Sequence, residues 1–145
     1  MSLLTFMCGV YIQTGQHAVE LNAGDFLAHY NLACAFAQEG DHERAALSFS
    51  SAIEINAADG ETYQRRGEQR LAVGDVDGAV TDYRTAVQLQ PSSASALNDL
   101  GVALYEADEN AEALASFRAA VALDGTHAEA RDNARQLAAF LEGGQ

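Results

Sequence analysis

The segment "ALNDLGVALYEADENAEALASFRAAVALD", residues 96–124, indicates the fold class, because its pattern occurs twice more at a constant distance. Moving 34 residues towards the N-terminus gives "TYQRRGEQRLAVGDVDGAVTDYRTAVQLQ", and moving 34 more gives "AHYNLACAFAQEGDHERAALSFSSAIEIN". A fixed period of this length is typical of repeat architectures. The spacing predicts three tandem units, 26–59, 60–93 and 94–127, with no insertion between them.

The units place the same kind of residue at each packing position. Small residues recur in three columns and an aromatic residue in a fourth: Ala33, Gly67, Gly101; Ala45, Ala79, Ala113; Ala52, Ala86, Ala120; and Phe49, Tyr83, Phe117. A turn residue stands in the middle of each unit, at Gly40, Gly74 and Asp108. Alternating β-branched runs are missing. Each unit is therefore predicted to form two antiparallel helices joined by a tight turn, and the predicted fold class is all-α.

At these columns the chain resembles the tetratricopeptide repeat family. The third unit carries the family pattern at Leu97, Leu100, Gly101, Leu104, Ala113, Phe117 and Ala120. The resemblance implies a right-handed α-solenoid of antiparallel helix hairpins with a concave groove. The sequence departs from the pattern at Arg66 and Arg70, which replace large apolar residues. It also lacks the usual closing proline at Ala57 and Gly125.

Both flanks extend the array. "QHAVELNAGD", residues 16–25, mirrors "SSAIEINAAD", residues 50–59, so 1–25 is predicted to be a partial repeat or an N-terminal helix. Within it, residues 8–21 correspond to the second helix of a unit whose first helix is largely missing. Residues 128–145 are predicted to form a C-terminal capping helix and tail. A solenoid exposes its core at each end, and a capping helix covers it. We expect one domain, 1–145, of seven to eight helices.

Composition and charge exclude several classes of partner. The net charge is −13 and the chain has no lysine, so nucleic acid and anionic membranes are not expected to attract it. The apolar N-terminal run lacks the basic region of a signal peptide and is too short to span a bilayer. Cys8 and Cys34 form no CxxC pair and are interpreted as free thiols in a reducing, cytoplasmic compartment.

No pattern of catalytic or ligand-holding residues is present in the sequence. The four histidines, His17, His29, His42 and His127, lie in different units, without metal-ligand spacing. Cys34 and His29 are five positions apart on a helix, which puts them on different faces and makes a catalytic dyad untenable. Phosphate-binding glycine loops are missing too. We expect no enzyme activity, no metal and no cofactor.

The two arginines that break the family pattern are predicted to be structural. Arg66 falls in a buried column, and Asp82 stands where the other units carry serine, so the two are expected to pair across the hairpin. Removing one partner of a fully buried pair costs roughly 3–5 kcal/mol. Arg70 lies in another packing column, with Asp75 and Asp77 within reach of the turn.

The groove is expected to bind the partner. The family resemblance places in it one face of the first helix of each unit: Leu27, Tyr30, Cys34 and Gln38; Glu61, Gln64, Glu68 and Leu71; and Ser95, Asn98, Val102 and Tyr105. Arg65 lies at its edge and is the arginine best placed to touch a ligand. The candidate partner-binding residues are Tyr30, Cys34, Gln38, Gln64, Arg65, Glu68, Asn98, Val102 and Tyr105.

The function predicted from these features is a non-catalytic protein–protein interaction module, acting as scaffold, adaptor or co-chaperone. The partner would be an extended or helical segment, neutral to basic, because the outer units are strongly acidic. The alternative is a self-associating piece of a larger array that stacks on another copy through its N-terminal edge.

One subclass of the family can be excluded by its motif. Members that hold the acidic C-terminal tails of heat-shock chaperones use a clamp of five lysine, asparagine and arginine residues. The matching positions are Tyr30, Cys34, Arg65, Ser95 and Asp99, none of which fits the clamp. Asp99 would repel a carboxylate, so binding of such a tail is not expected.

Overall fold

The computed structural model describes residues 3–144, which form eight α-helices joined by short turns. These helices are α1 (Leu3–Leu21), α2 (Phe26–Gln38), α3 (His42–Ile55), α4 (Gly60–Ala72), α5 (Val76–Leu89), α6 (Ala94–Glu106), α7 (Asn110–Leu123) and α8 (Ala128–Gly143). The described range contains no strand, and the prediction of an all-α fold is confirmed. Met1, Ser2 and Gln145, which the sequence places in the first helix and the tail, lie outside the described residues.

Consecutive helices pack as a solenoid. The hairpins α2–α3, α4–α5 and α6–α7 form the most extensive contacts, and each hairpin also packs on the next. Helices α1 and α8 pack on the two ends of this stack. None of the helices in the described range is long and apolar enough to cross a membrane.

Short polar side chains fix where most of these helices begin. The residue before the helix accepts a hydrogen bond from a backbone N–H of the first turn at Asp25, Asp41, Asp59, Asp75, Ser93 and His127. Such capping satisfies amide groups that have no partner inside the helix. Helix α7 differs, because the side chain of its N-cap residue Glu109 accepts no hydrogen bond from the first turn of the helix.

The mid-unit turns adopt the left-handed backbone conformation. Gly40 and Gly74 have φ values of 79° and 83°, and Asp108 has a φ of 62° at the equivalent place. Glycine adopts this region without strain, whereas a side chain costs energy there. Asp108 is the one residue other than glycine with a positive φ between residues 3 and 144.

Within each hairpin, a small residue on the first helix faces an aromatic ring on the second. A Cβ atom placed on Gly101 would lie 2.5 Å from Phe117 Cε1, and one on Gly67 would lie 3.0 Å from Tyr83 Cζ. Glycine at these two positions allows the helices to approach closely. The aromatic column is almost fully buried, and Phe49, Tyr83 and Phe117 belong to the hydrophobic core.

The predicted pair between Arg66 and Asp82 is present. The guanidinium donates from Nε to Asp82 Oδ2 at 2.9 Å and from Nη2 to Asp82 Oδ1 at 2.7 Å. Its third nitrogen, Nη1, donates to Ser50 Oγ of the preceding hairpin at 3.0 Å. The Asp82 side chain is only 2% exposed. Arg66 therefore ties three helices together, α3, α4 and α5.

Arg70 has a different main partner from the one predicted. Its Nη1 donates to Asp82 Oδ2 at 2.9 Å and to the carbonyl oxygen of Gly78 at 3.1 Å. Its Nε lies 3.5 Å from Asp75 Oδ2, as expected. One carboxylate thus accepts from two guanidinium groups, because the antiparallel hairpin brings both arginines opposite the same turn of α5.

Candidate partner-binding groove

Helices α2, α4, α6 and α8 form one continuous face, and four cavities follow one another along it. They lie between α1 and α2, between α2 and α4, between α4 and α6, and between α6 and α8, with volumes of about 600, 350, 500 and 370 Å³. We call the face formed by the last three cavities the groove. Its side chains come from the exposed positions of helices whose other faces are held by the core.

The central cavity, between α4 and α6, is the most polar part of the groove. Its lining is Glu61, Gln64, Arg65, Glu68, Tyr83, Gln90, Ser95 and Asp99. Three carboxylates therefore face one guanidinium, so the cavity carries an excess of negative charge. The neighbouring cavity towards α2 shares Arg65 and Glu68 with it, which makes the two continuous.

Hydrogen bonds between adjacent units hold several groove side chains in place. Tyr30 Oη donates to Glu61 Oε1 at 2.9 Å. Gln64 Nε2 donates to Ser95 Oγ at 3.0 Å and to Asp99 Oδ2 at 2.5 Å. Because each bond joins one unit to the next, the polar lining also fixes the relative position of the hairpins.

Arg65 is the one basic group in the lining of the central cavity, and it is accessible to solvent. Its side chain is 51% exposed, and its Nη2 lies 3.7 Å from Glu61 Oε1. An exposed pair at that distance contributes little to stability. The guanidinium therefore remains available to an acceptor group on a ligand.

The environment keeps two nucleophile-type side chains in the groove uncharged. Burial, together with the hydrogen bond to Glu61, raises the pKa of Tyr30 to about 12. Burial also raises the pKa of the Cys34 thiol, although the nearby Arg65 opposes this. Since the thiolate is the reactive form of cysteine, Cys34 lacks the activation that nucleophilic catalysis requires.

Asp99 is a half-buried carboxylate without a countercharge. Burial raises its pKa, the hydrogen bond from Gln64 lowers it, and repulsion from Glu129 and Glu68 raises it further. The two charged groups that raise its pKa, Glu129 and Glu68, are both acidic. A cation entering the central cavity would relieve this unfavourable arrangement.

Asn98 is placed differently from the other candidate residues. It is 1% exposed, and its Oδ1 accepts a hydrogen bond from Asn133 Nδ2 of α8 at 3.1 Å. The capping helix therefore covers this position, and a partner would not reach the Asn98 side chain. The remaining candidates, Tyr30, Cys34, Gln38, Gln64, Arg65, Glu68, Val102 and Tyr105, all line one of the four cavities or form its hydrogen bonds.

Helix α8 contributes lining residues that the sequence reasoning missed. The cavity between α6 and α8 is lined by Val102 and Tyr105 and also by Asn133, Gln136 and Phe140. The 34-residue period maps Gln136 onto Val102, so the repeat register could have identified them.

Within residues 3–144, no group of three or more His, Cys, Asp or Glu side chains could hold a metal ion.

Known proteins match the chain in both sequence pattern and fold. Two family models described as tetratricopeptide repeat match residues 27–59 and 65–130. No curated protein matches the sequence. Among solved structures, YrrB, titled a TPR protein with an unusual peptide-binding site, is 22% identical with a TM-score of 0.83. The match covers 95% of this chain and 71% of YrrB.

Two further similar structures are complexes with bound peptides. The first TPR of Spaghetti (RPAP3), bound to an HSP90 peptide, is 17% identical with a TM-score of 0.77, covering 81% of this chain and 93% of that one. The second TPR domain of human RPAP3, in complex with an HSP70 peptide, is 21% identical with a TM-score of 0.72. That match covers 75% of this chain and 91% of the human domain. At these identities the likeness establishes the fold.

Proposed function

The chain belongs to the tetratricopeptide repeat family, and from that premise we propose that it binds a segment of a partner protein in its groove, without catalysis. The single observation that carries the proposal is the continuous row of cavities along α2, α4, α6 and α8. Peptide complexes of proteins with the same fold support it. A peptide-sized groove with polar side chains already held in place reduces the ordering cost of binding.

The partner segment we propose is neutral to basic. In the central cavity Glu61, Glu68 and Asp99 outnumber the single cation Arg65. A lysine or arginine of the partner would supply the countercharge that Asp99 lacks, and an acceptor group beside it would meet Arg65. Complementary charge of this kind favours the correct partner and speeds association.

Aromatic side chains would anchor the segment at the two ends of the groove. Tyr105 is half exposed and lines the cavity of about 370 Å³ together with Val102 and Phe140. Tyr30 lies at the other end, with its ring edge-on to Phe49. Large amphipathic rings are frequent hot spots of protein interfaces. An apolar residue of the partner would fill the Tyr105 cavity.

The cellular role we propose is that of a scaffold or adaptor in the cytoplasm. Both cysteines of the chain are free thiols, which suits a reducing compartment. A co-chaperone role that depends on an acidic chaperone tail is disfavoured, because Asp99 stands at a clamp position and lacks a cation.

A peptide library tests the proposal directly. Random peptides displayed on phage would be selected on the purified chain, and the affinity of the tightest one measured by fluorescence anisotropy. We expect selected sequences to carry net positive charge, and Gln64→Ala, Arg65→Ala and Tyr105→Ala each to weaken binding several-fold. Arg84→Ala is the matched control, since Arg84 lies on α5 and pairs with Glu112 outside the groove. Loss of binding in the control variant alone would overturn the proposal.

A further inference from the structure

The three cavities of the groove are built on the same repeat positions. Each is lined by the aromatic column of the fold, which supplies Phe49, Tyr83 and Phe117 in turn. Each is also lined by one residue from each of the two helices that border it, in columns with the 34-residue spacing: Cys34 and Arg65, Glu68 and Asp99, and Val102 and Asn133. The cavities are therefore three versions of one site, and they differ in the side chains at these three positions.

The central cavity carries a hydrogen-bond acceptor at all three positions. Glu68, Tyr83 and Asp99 lie on α4, α5 and α6, so three helices each supply oxygen atoms to its lining. The two flanking cavities have phenylalanine at the aromatic position and therefore no polar atom there. Among the three equivalent sites, the central one is thus suited to a ligand that donates several hydrogen bonds.

The Tyr83 hydroxyl is buried and has no hydrogen-bond partner within residues 3–144. Tyr83 is only 3% exposed, and its Oη forms no hydrogen bond with a group of the described range. The end of its ring packs against Gly67 of α4, where an added Cβ would lie 3.0 Å from Tyr83 Cζ, and the side chain lines the central cavity. A buried hydroxyl without a partner costs free energy, which the other two units avoid with phenylalanine. A donor group of a ligand in the central cavity would satisfy it.

Negative charge surrounds this hydroxyl. Burial raises the pKa of Tyr83, and the nearby carboxylates of Asp99 and Glu68 raise it further, so the hydroxyl stays neutral. Arg65, the one cation of the lining, lies 3.7 Å from Glu61 and leaves Asp99 without a countercharge. A cationic donor would therefore satisfy the hydroxyl and the carboxylates together, and charge-assisted hydrogen bonds are the strong ones.

A guanidinium group suits these acceptors better than an ammonium group. The acceptors lie on three helices around a cavity of about 500 Å³, so they surround a volume instead of a single point. A guanidinium carries five N–H donors in a planar fork, whereas an ammonium carries three donors on one nitrogen. The guanidinium is also more weakly hydrated, so it loses less on entering a half-buried site.

We propose that the central cavity is a subsite for an arginine side chain, whose guanidinium pairs with Asp99 and donates a hydrogen bond to Tyr83 Oη. The inference rests on the proposed function, because the arginine belongs to a partner segment that is bound in the groove. It adds a specificity, since a lysine in the same place binds more weakly. Glu68 acts on both Arg65 and Tyr83, so its carboxylate offsets the repulsion between Arg65 and the incoming guanidinium.

Two small probes test the subsite without any partner peptide. N-acetyl-arginine methylamide and N-acetyl-lysine methylamide are each titrated into the isotope-labelled chain, and backbone amide shifts are followed by NMR. We expect the arginine probe to shift the amides of Glu68, Ser95 and Asp99 at millimolar concentration. The lysine probe, which carries the same charge, should bind at these amides several-fold more weakly.

Two substitutions identify the groups that hold the probe. Tyr83→Phe introduces the residue that the other units carry in this column, so the fold is retained, and it should weaken the arginine probe about two- to tenfold. Asp99→Asn removes the charge and should weaken it at least about tenfold. Tyr63→Phe is the matched control, because it removes a hydroxyl of α4 outside the lining of the central cavity, and should leave the affinity unchanged. Circular dichroism checks that each variant is folded.

The same comparison is then made in the tightest peptide from the library, by replacing each arginine with lysine. We expect one such replacement to weaken binding several-fold in the unmodified chain and to have a smaller effect in Tyr83→Phe. Equal affinity of the arginine and lysine probes, no shift by the arginine probe, or an unchanged affinity in Tyr83→Phe would each overturn the subsite. If library peptides still bind in the groove in that case, the proposed function stands. If the arginine probe binds but no peptide does, the guanidinium site stands and the proposed function fails.

Discussion

Asp82 and Arg66 of the middle unit both differ from the residues at the same positions of the other two units, and they form an ion pair. The other units carry Ser48 and Ser116 in place of Asp82, and leucines in place of Arg66. In the middle unit the buried carboxylate accepts from Arg66 and Arg70 together. Two cations around one buried anion satisfy its lone pairs, which is the condition under which a buried charge is tolerated.

Removing Arg66 should be far more costly than removing Arg65. We expect Arg66→Ala to lower the free energy of unfolding by about 3 kcal/mol, since Asp82 loses two of its hydrogen bonds in a buried site. Arg65→Ala, the matched control, should change it by less than about 0.5 kcal/mol, because its pair with Glu61 is exposed. Urea unfolding followed by circular dichroism measures both. Equal losses in the two variants would contradict this account of the pair.

The double variant Arg66→Leu with Asp82→Ser restores the residues of the third unit. A buried pair replaced by well-packed apolar residues is often neutral in stability. We therefore expect the double variant to be more stable than either single variant, with a coupling energy of at least about 1 kcal/mol. Strict additivity of the two single effects would show that the residues do not act as a pair.

Asp99 should make the chain less stable as the pH rises. Burial raises its pKa in the folded state above the unfolded value, so the folded chain holds this proton to a higher pH. The stability that the protonated form provides is present below the unfolded pKa, about 4, and is lost as the pH rises through the folded value. Asp99→Asn should therefore raise the melting temperature near neutral pH.

The gain from Asp99→Asn should disappear as the pH falls through the raised folded-state pKa of Asp99 to the unfolded value of about 4, because the carboxyl group is then protonated in both states. Thermal unfolding at several pH values measures this difference. Asp99→Ala is the control, since it also lacks the charge but loses the hydrogen bond from Gln64. It should show the same pH trend at a lower overall stability. A loss of stability near neutral pH in Asp99→Asn would mean that the carboxylate favours folding.

Among the helices, the N-terminus of α7 is less well stabilised than the N-termini of α3 and α5, which occupy the same place in their units. Its turn uses Asp108 at a φ of 62° where the other units use glycine, and its N-cap Glu109 makes no capping bond. The hydrogen bond that Asp108 Oδ1 accepts from Asn110 Nδ2 is exposed and offsets little. The hairpin α6–α7 therefore contains a local weakness in an otherwise uniform array.

Asp108→Gly should stabilise the protein. Glycine enters the left-handed region without the steric cost of a side chain, and we expect a gain of about 0.5–1 kcal/mol. The reverse change in the middle unit, Gly74→Asp, is the matched control and should cost a similar amount. Urea unfolding measures both variants. If Asp108→Gly destabilises the chain, the turn is held by contacts of the aspartate side chain.

The helices and their packing were predictable from the sequence, because the 34-residue period fixes which columns are buried. The pair of Arg66 and Asp82 was also predictable, since both depart from their columns in the same unit. The burial of Asn98 was not, because it depends on Asn133 of the capping helix and on how that helix packs. Side-chain partners in the groove depend on the packing between units, which a repeat pattern leaves open.

Across the molecule as a whole, the net charge of the middle unit differs from that of its two neighbours. Unit 26–59 has five acidic residues against one arginine, and unit 94–127 has six against one. Unit 60–93 has five acidic residues against four arginines, of which Arg66 and Arg70 are engaged by Asp82. The groove therefore offers one accessible cation, Arg65, within an acidic surround, which is why we expect salt to weaken binding of a basic segment.

The most direct test of groove binding is backbone amide chemical-shift mapping of the isotope-labelled chain during titration with the tightest peptide from the library. We expect the largest shifts to follow the groove, at Gln64, Arg65 and Glu68 of α4 and at Ser95 and Asp99 of α6. Shifts confined to the α3, α5 and α7 helices, with those five amides unchanged, would contradict it.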